Sequence, residues 1–270
     1  MRVALVQITV DDDPAANIAR AVEEIERAAD AGARLVVLPE ATLAPFGTDL
    51  RAAVRDHADA FEQTLVEVAE RRDVVVAAGG FVAAVDGRVL NVVHLRGRGV
   101  RADYAKIHLF DAFGTRESDT IAPGEHLVTV DVDGWRIGVA TCYDVRFPEQ
   151  FRALADAGAE AVVLPTAWND GEGKEEQWRV LVRARALDAT LVVLAADQAP
   201  PVVPAGAEAP PGARGIGCSQ AVGADGRVLA ELGREEGAVL VDLDRASVAR
   251  VRETLPVLRH RVPLGPSTAG

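Results

Sequence analysis

A nine-residue word occurs twice in this chain, about half its length apart. Ala31-Gly32-Ala33-Arg34-Leu35-Val36-Val37-Leu38-Pro39 returns as Ala157-Gly158-Ala159-Glu160-Ala161-Val162-Val163-Leu164-Pro165. Upstream, Arg2-Val3-Ala4-Leu5-Val6 parallels Arg136-Ile137-Gly138-Val139-Ala140. Downstream, Asp86-Gly87-Arg88-Val89-Leu90 returns unchanged as Asp225-Gly226-Arg227-Val228-Leu229. Each Asp-Gly reads as a hairpin turn, because Gly supplies the positive φ that tight connections require. A single match would be chance similarity between valine-rich strands. Three in the same order predict two similar halves packed around one core.

Local patterns say what each half contains. Arg2–Val10 is mostly Val, Ala, Leu and Ile and reads as a short buried strand. Asp11–Asp13 followed by Pro14 marks a helix start, with an acidic cap and a proline in the first turn. Ile18, Val22 and Ile25, set among Glu23, Glu24, Glu26 and Arg27, give an amphipathic helix that Gly32 ends. Arg34–Pro39 is the next strand. Phe61–Arg71 repeats the helical period through Leu65, Val68 and Ala69, ahead of a strand at Val74–Ala78. Helices alternating with continuous apolar strands predict an α/β fold with both sheet faces covered. At 270 residues, the chain suits one large α/β unit, a class that reaches about 250 residues. Residues 1–262 are taken as that domain and 263–270 as a C-terminal tail. Ala199–Gly215 carries five prolines and reads as an exposed loop, with strand-like sequence resuming at Ile216–Val222. Pro256–Gly270 is irregular and is expected to run over the surface or across a partner subunit.

Charge narrows the function. With 29 basic and 41 acidic side chains the net charge is −12. That balance argues against nucleic acid, whose phosphates need a basic face. Apolar runs such as Leu35–Leu38 and Leu191–Ala196 fall far short of the roughly 18–20 residues that cross a membrane. The N-terminal apolar run meets Gln7 and then three aspartates, unlike a secretory leader. With only two cysteines, Cys142 and Cys218, nothing points to an oxidising compartment, so a cytoplasmic location is expected.

Three residues are candidates to carry chemistry. Cys142 follows a strand at Trp135–Thr141 and precedes a helix at Pro148–Ala157. Helix-terminal N–H groups at such a turn lower a thiol pKa and can hold an oxyanion. A small buried hydrophobe is the competing reading on local sequence alone. Cys218, with no adjacent base or helix start, takes that second reading. Glu40 ends the strand Leu35–Pro39, at the carboxyl edge where catalytic groups of open α/β sheets collect. A solvated strand-end charge is its alternative. The repeat offers a way to bring Glu40 and Cys142 together, since each ends a matching strand region. Lys106 lies among apolar and aromatic residues in Asp103–Phe110, where an ammonium can act as a fixed positive charge. Other constellations fail. The five histidines show no metal-ligand spacing, and the two cysteines do not sit at a zinc distance. Gly97-Arg98-Gly99 lacks the third glycine of a dinucleotide fingerprint and reads as a hairpin end.

Leu38-Pro39-Glu40, then Tyr104-Ala105-Lys106-Ile107-His108-Leu109-Phe110, then Thr141-Cys142-Tyr143-Asp144-Val145-Arg146-Phe147-Pro148-Glu149 closely resemble three signatures. They are those of the nitrilase superfamily of carbon–nitrogen hydrolases, in matching order and spacing. The resemblance runs from Arg2 to about Arg261. It is strongest to the branch of omega-amidases and deaminated-glutathione amidases, especially uncharacterised hydrolases of high-GC actinobacteria. It implies a four-layer αββα sandwich with an internal pseudo-two-fold, a homodimer packed through outer helices, and a Glu-Lys-Cys triad without metal or organic cofactor.

Carried over residue by residue, Glu40 is the general base, Lys106 the electrostatic stabiliser and Cys142 the nucleophile. Arg116-Glu117-Ser118, ahead of Ala122-Pro123-Gly124, looks like the motif of a further catalytic glutamate, which makes Glu117 the fourth member. Tyr143 would offer an oxyanion-hole N–H and Trp168 would line the pocket. Asp144, Arg146 and Glu149 are expected to brace the elbow rather than touch substrate. Val202–Ala213, an insertion-like loop, and the tail depart from the family pattern. The implied reaction splits a small linear amide into carboxylate and ammonia through a cysteine thioester. Nitriles and N-carbamoyl compounds are alternatives on the same triad, as are a non-catalytic ligand-binding role and a redox-sensing thiol. A substrate carboxylate would want a pocket cation, for which Arg116 and Arg183 are the candidates.

Overall fold

Alternate residues of each central strand enter different apolar layers, and that alternation builds the molecule. The structure, a computed structural model, describes residues 1–263 apart from 205 and 209. In chain order the first half contributes β1 (Arg2–Gln7), α1 (Pro14–Asp30), β2 (Leu35–Val37), α2 (Leu50–Arg72), β3 (Val75–Ala83), β4 (Val89–Gly97) and β5 (Val100–Ala105). A small hairpin of β6 (Asp111–Ala112) and β7 (Thr115–Arg116) and the short β8 (Ile121–Ala122) follow. The second half contributes β9 (Thr129–Val132), β10 (Trp135–Val139), α3 (Pro148–Asp156), β11 (Ala161–Thr166), α4 (Lys174–Ala189), β12 (Val192–Asp197), β13 (Gln220–Val222) and β14 (Val228–Glu231). Finally β15 (Gly237–Asp242) and α5 (Arg245–Thr254) close the chain.

One sheet runs β15-β1-β2-β3-β4-β5 with β8 on β4, and the other β14-β13-β12-β11-β10-β9. Val36, Leu38, Val76 and Ala78 point outward onto α1 and α2, through Ile25, Phe61, Leu65 and Val68. Leu5, Leu35, Val37 and Val75 point the other way, meeting Ile137, Val139, Val163 and Leu194 of the second sheet. The opposite face of that sheet, with Val162, Leu164 and Val193, packs on Phe151, Trp178 and Val182 of α3 and α4. Three apolar layers therefore separate four structural ones, in the expected αββα order. Among the described residues no helix is long and apolar enough to cross a membrane.

The two halves share register as well as topology. Val3 pairs with Leu35 across β1 and β2, and their repeat counterparts Ile137 and Ala161 pair across β10 and β11. Two of the three repeated words thus occupy equivalent strands. The Asp-Gly words do not: Asp86-Gly87 joins β3 to β4, whereas Asp225-Gly226 joins β13 to β14. The true counterpart of the latter is the β4–β5 turn, where Arg98 and Gly99 both take positive φ, 54° and 78°.

Several boundaries move for physical reasons. At α1 the cap holds as expected: the Asp13 side chain accepts the Ala15 N–H, and Pro14 opens the helix. By contrast α2 begins at Leu50 rather than Phe61, because the Asp49 side chain accepts the Ala52 N–H at 3.0 Å. Leu50 and Ala53 are the buried residues of its first turns, too few to signal a helix by periodicity. Strand pairing resumes at Gln220, not Ile216, because Gly217 and Cys218 take φ of 70° and 57° and turn the chain. The Pro-rich segment is more than an exposed loop. A Cβ on Gly212 would lie 2.4 Å from the Phe46 carbonyl oxygen, and one on Gly47 would lie 2.4 Å from that of Pro211. This reciprocal glycine contact clamps the loop against residues 46 and 47. Of the tail at 263–270, residues from 264 onward lie outside the described residues.

Gly79 in β3 shows how tightly the central edge is fitted. A Cβ there would lie 2.5 Å from the Glu40 Cα and 2.6 Å from the Ala41 nitrogen. Gly79→Ala is expected to destabilise the fold by about 1–3 kcal/mol through overpacking and to impair turnover by shifting Glu40. Thermal unfolding alongside an activity assay checks both.

Candidate active site

Past the end of β2 the chain turns at Pro39, and Ala41 takes φ of 56°. The Pro39 carbonyl accepts the Gly79 N–H at 3.0 Å and the Thr42 hydroxyl at 2.7 Å, and the Gln198 side chain donates to the Glu40 carbonyl at 2.7 Å. That fixed backbone directs the Glu40 side chain into the interior, fully buried. Its Oε1 accepts from Asn91 Nδ2 at 2.7 Å and from Lys106 Nζ at 3.0 Å, and its Oε2 accepts the Ala167 N–H at 2.9 Å.

Lys106 follows β5 directly, tied by its N–H to the Asn91 carbonyl and by its carbonyl to the Gly124 N–H, at 2.9 and 2.7 Å. Its Nζ also lies 3.0 Å from each Glu117 oxygen. Glu117 opens a short 3-10 turn after β7 and accepts the Phe110 N–H at 2.6 Å. Cys142 begins a second 3-10 turn, Cys142–Arg146, three residues beyond the end of β10. Its φ of 45° is a left-handed conformation that costs a non-glycine residue about 1–3 kcal/mol. The Asp144 carboxylate accepts the Thr141 N–H at 2.8 Å and helps hold this turn.

The electrostatics follow from burial and count. Burial alone would lower the Lys106 pKa, but Glu117 and Glu40 raise it well above its ordinary value, so the ammonium stays charged. Two carboxylates share that one charge. Burial raises the Glu40 pKa, Lys106 pulls it down, Glu117 raises it again and Asn91 lowers it, with a net rise. Burial and then the Glu40 charge push the Cys142 thiol well up, against a smaller lowering by Lys106. The lowered thiol pKa expected from nearby helix N–H groups is therefore reversed. The resting pair is a neutral thiol beside a carboxylate of heightened proton affinity.

Glu40, Lys106, Glu117 and Cys142 border one cavity of about 560 Å³, together with Tyr143 and Trp168. All six residues singled out from the sequence converge there. Trp168 is held by its N–H on Asp197 at 2.8 Å and its indole N–H on the Lys174 carbonyl at 3.0 Å. Gly212 and Ala213 of the Pro-rich loop form part of the wall.

Two expectations change. Arg183 donates to the Gly226 carbonyl and is not among the residues lining this cavity. Arg146, assigned only to bracing the elbow, does line it, its guanidinium 5.0 Å from the Trp168 ring. Lys174 and Asn91 were missed. Asn91 had a signal: it is the one polar residue inside Val89-Leu90-Asn91-Val92-Val93, a run otherwise fit for the core. Arg116 lines the cavity as expected but is ion-paired with Asp119 at 3.3 Å.

Fold and cavity together are those of the nitrilase-type hydrolases. The chain belongs to the carbon–nitrogen hydrolase family, whose sequence profile matches residues 2–253. It is 40% identical over 270 residues to a hydrolase of Mycobacterium tuberculosis, covering 97% of this chain and 95% of that one. To the deaminated glutathione amidase of Escherichia coli O157:H7 it is 34% identical, with 87% of each chain covered. To a human omega-amidase it is 32% identical, over 96% and 94% of the two chains. A crystallised double mutant of the amidase from Nesterenkonia sp. AN1, in complex with acrylamide, superposes with a TM-score of 0.80 at 28% identity, over 97% and 94%. The expected branch is thereby borne out, and the protein is an enzyme of this family.

If Glu40 is the carboxylate base, kcat/KM is expected to fall as pH drops through a limb above the ordinary glutamate range. Asn91→Leu removes a bond that favours the carboxylate and is expected to move that limb higher still. A pH profile of kcat/KM for the two proteins checks both position and direction; a limb that stays put argues against Glu40 as the titrating base.

Proposed function

We propose that this enzyme hydrolyses the carboxamide of a small linear amide whose far end is anionic, releasing a carboxylate and ammonia. The observation that carries the reading is the common cavity bordered by Cys142, Glu40, Lys106 and Glu117. Glu40 takes the Cys142 proton as the sulfur attacks the amide carbonyl carbon. Lys106 and the Tyr143 N–H stabilise the oxyanion, with a well-placed donor worth about 3–4 kcal/mol. The tetrahedral adduct collapses with cleavage of the C–N bond, Glu40 returns the proton to the departing ammonia, and a thioester remains on Cys142. Water then gives a proton to Glu40 as its oxygen attacks the thioester. Glu40 hands that proton to the leaving sulfur, and the acid departs. Glu117 keeps Lys106 charged and oriented throughout.

Two cations at the cavity mouth support an anionic substrate. Arg146 donates to the neutral Gln177 side chain at 2.8 Å, and Lys174 Nζ lies 4.4 Å from the Phe113 ring centroid. Among the described residues neither has a carboxylate within ion-pair distance. Burial and the Arg146 charge lower the Lys174 pKa, which a bound carboxylate would reverse. Lys174→Met is expected to raise KM for omega-amides of dicarboxylic acids about tenfold or more, the weight of one hydrogen bond to a charged group. Neutral amides should change less than about twofold.

The reading includes a cytoplasmic setting, supported by the free thiols of Cys142 and Cys218. It also includes a homodimer packed through α3 and α4, supported by Val180 and Leu187 of α4, which stay exposed. Light scattering of wild type and Val180→Glu tests the dimer, which the charge should dissociate.

The decisive assay is ammonia release from short amides by wild type beside Cys142→Ala. Turnover by wild type alone is expected. Activity retained by Cys142→Ala removes the nucleophile, and preference for a nitrile or an N-carbamoyl amino acid in the same panel overturns the amide reading.

A further inference from the structure

We propose that Asp144 is a positioning residue that fixes the Lys106 segment against the Cys142 turn. The proposal rests on the reading of Cys142 as nucleophile and Lys106 as oxyanion stabiliser. Those two residues belong to different sheets: Lys106 follows β5 and Cys142 follows β10. Their relative placement decides whether the oxyanion forms beside the ammonium, and an error of about 1 Å in such a geometry can cost about 100-fold in rate.

Asp144 spans the gap with one fully buried carboxyl group. On the cysteine side, Oδ2 accepts the Thr141 N–H at 2.8 Å. On the lysine side it accepts from residues on both flanks of Lys106. Tyr104 donates its hydroxyl to Oδ2 at 2.6 Å, while His108 donates its N–H at 3.1 Å and its Nδ1–H at 2.8 Å to Oδ1. Tyr104 is itself buried, and burial together with the nearby Asp144 raises its pKa, so the phenol remains a donor. The His108 ring stacks on Phe147 at 3.6 Å and 7°, closing the far side of the bracket. Asp144 does not line the cavity, so substrate binding need not register its loss.

The chemistry of the carboxylate is what the bracket requires. An asparagine of the same shape presents oxygen on one side and NH2 on the other. Oδ2 faces the Thr141 N–H and Oδ1 faces the His108 N–H, and a backbone N–H cannot become an acceptor. Whichever way the amide turns, one N–H meets an NH2 group. Asp144→Asn must therefore release either the cysteine turn or the lysine segment.

The test compares Asp144→Asn, Tyr104→Phe, the double variant and Cys142→Ala by amidase kinetics, iodoacetamide labelling of Cys142 and thermal unfolding. Asp144→Asn is expected to lower kcat by about 10- to 100-fold with KM within about threefold, and to slow labelling. Tyr104→Phe, which keeps both backbone bonds, is expected to lower kcat by about 3- to 10-fold. The double variant should be no worse than Asp144→Asn, because both act through one bracket. Lowered unfolding temperature with unchanged kcat and labelling would leave Asp144 purely structural and overturn the proposal. If Asp144→Asn does not fold, Tyr104→Phe decides alone, and full kcat there overturns it. An active Cys142→Ala would instead sink the underlying nucleophile assignment, whereas an inactive one beside a fully active Asp144→Asn sinks only the positioning role.

Discussion

Two buried carboxylates share one buried ammonium, and the rest of the structure is arranged to make that tolerable. Moving a single ion inside a protein carries an effective penalty of several kcal/mol. Lys106 offsets it with contacts of 3.0 Å to Glu40 and to both oxygens of Glu117. The remaining lone pairs are satisfied by fixed donors: Asn91 and the Ala167 N–H for Glu40, and the Phe110 N–H for Glu117. These groups come from the ends of β2 and β5, the start of β4, the residue before β6, the turn after β7 and the end of β11. No local segment can assemble such a cluster. It exists only when both sheets are in register, which is why the close approach of Gly79 to the Glu40 backbone matters as much as the charges themselves.

The repeat clarifies how the halves divide the work. In its register Glu40 corresponds to Thr166, and Cys142 corresponds to Ile8. Each half therefore offers the same two strand ends, but one carries its charged group after the second strand and the other its thiol after the first. Thr166 and Ile8 are both fully or almost fully buried and carry no ionisable group. Their neighbourhood still contributes: the residue after Thr166 donates the N–H that holds Glu40, and the Ile8 carbonyl accepts the Ala199 N–H at the root of the Pro-rich loop. A symmetric scaffold thus supports an asymmetric site.

How much of this was legible in the sequence depends on whether the signal was local. The strand ends at Glu40 and Cys142, the Asp13 cap and the Arg98-Gly99 turn follow from patterns a few residues long. The partner set was not local. Asn91 becomes meaningful only because β4 lies beside β3 and reaches Glu40, and Lys174 only because α4 begins at the cavity rim. Arg183 sits nine residues further along α4, more than two helical turns, and so points elsewhere; a charge count could not separate the two. The Pro-rich loop looked like an insertion because its role depends on contact with Gly47, far away in sequence. The Asp-Gly words matched letter for letter yet lie in different hairpins, since turn chemistry recurs wherever a tight connection is needed.

The site is polarised from floor to mouth, and that polarity orders the proposed reaction. At the floor, two carboxylates against one ammonium leave excess negative charge beside a neutral thiol. In the proposed reading Arg146 and Lys174 stand at the mouth of the cavity, which the rings of Tyr143, Trp168 and Phe110 also line. An anionic amide is drawn to the mouth and repelled by the floor, so its charged end stays outside and its neutral carboxamide goes in. Burial, reinforced by the Glu40 charge, keeps Cys142 protonated at rest. In the proposed reaction burial, together with Glu117 and against Lys106, gives Glu40 the proton affinity to remove that proton once a carbonyl carbon is in reach. Development of the oxyanion then adds negative charge beside Lys106 while the Glu40 charge is neutralised by the proton it has taken. The cluster holds the same net charge before and after attack, so the ammonium need not reorganise, which is the condition under which fixed charges contribute most to catalysis.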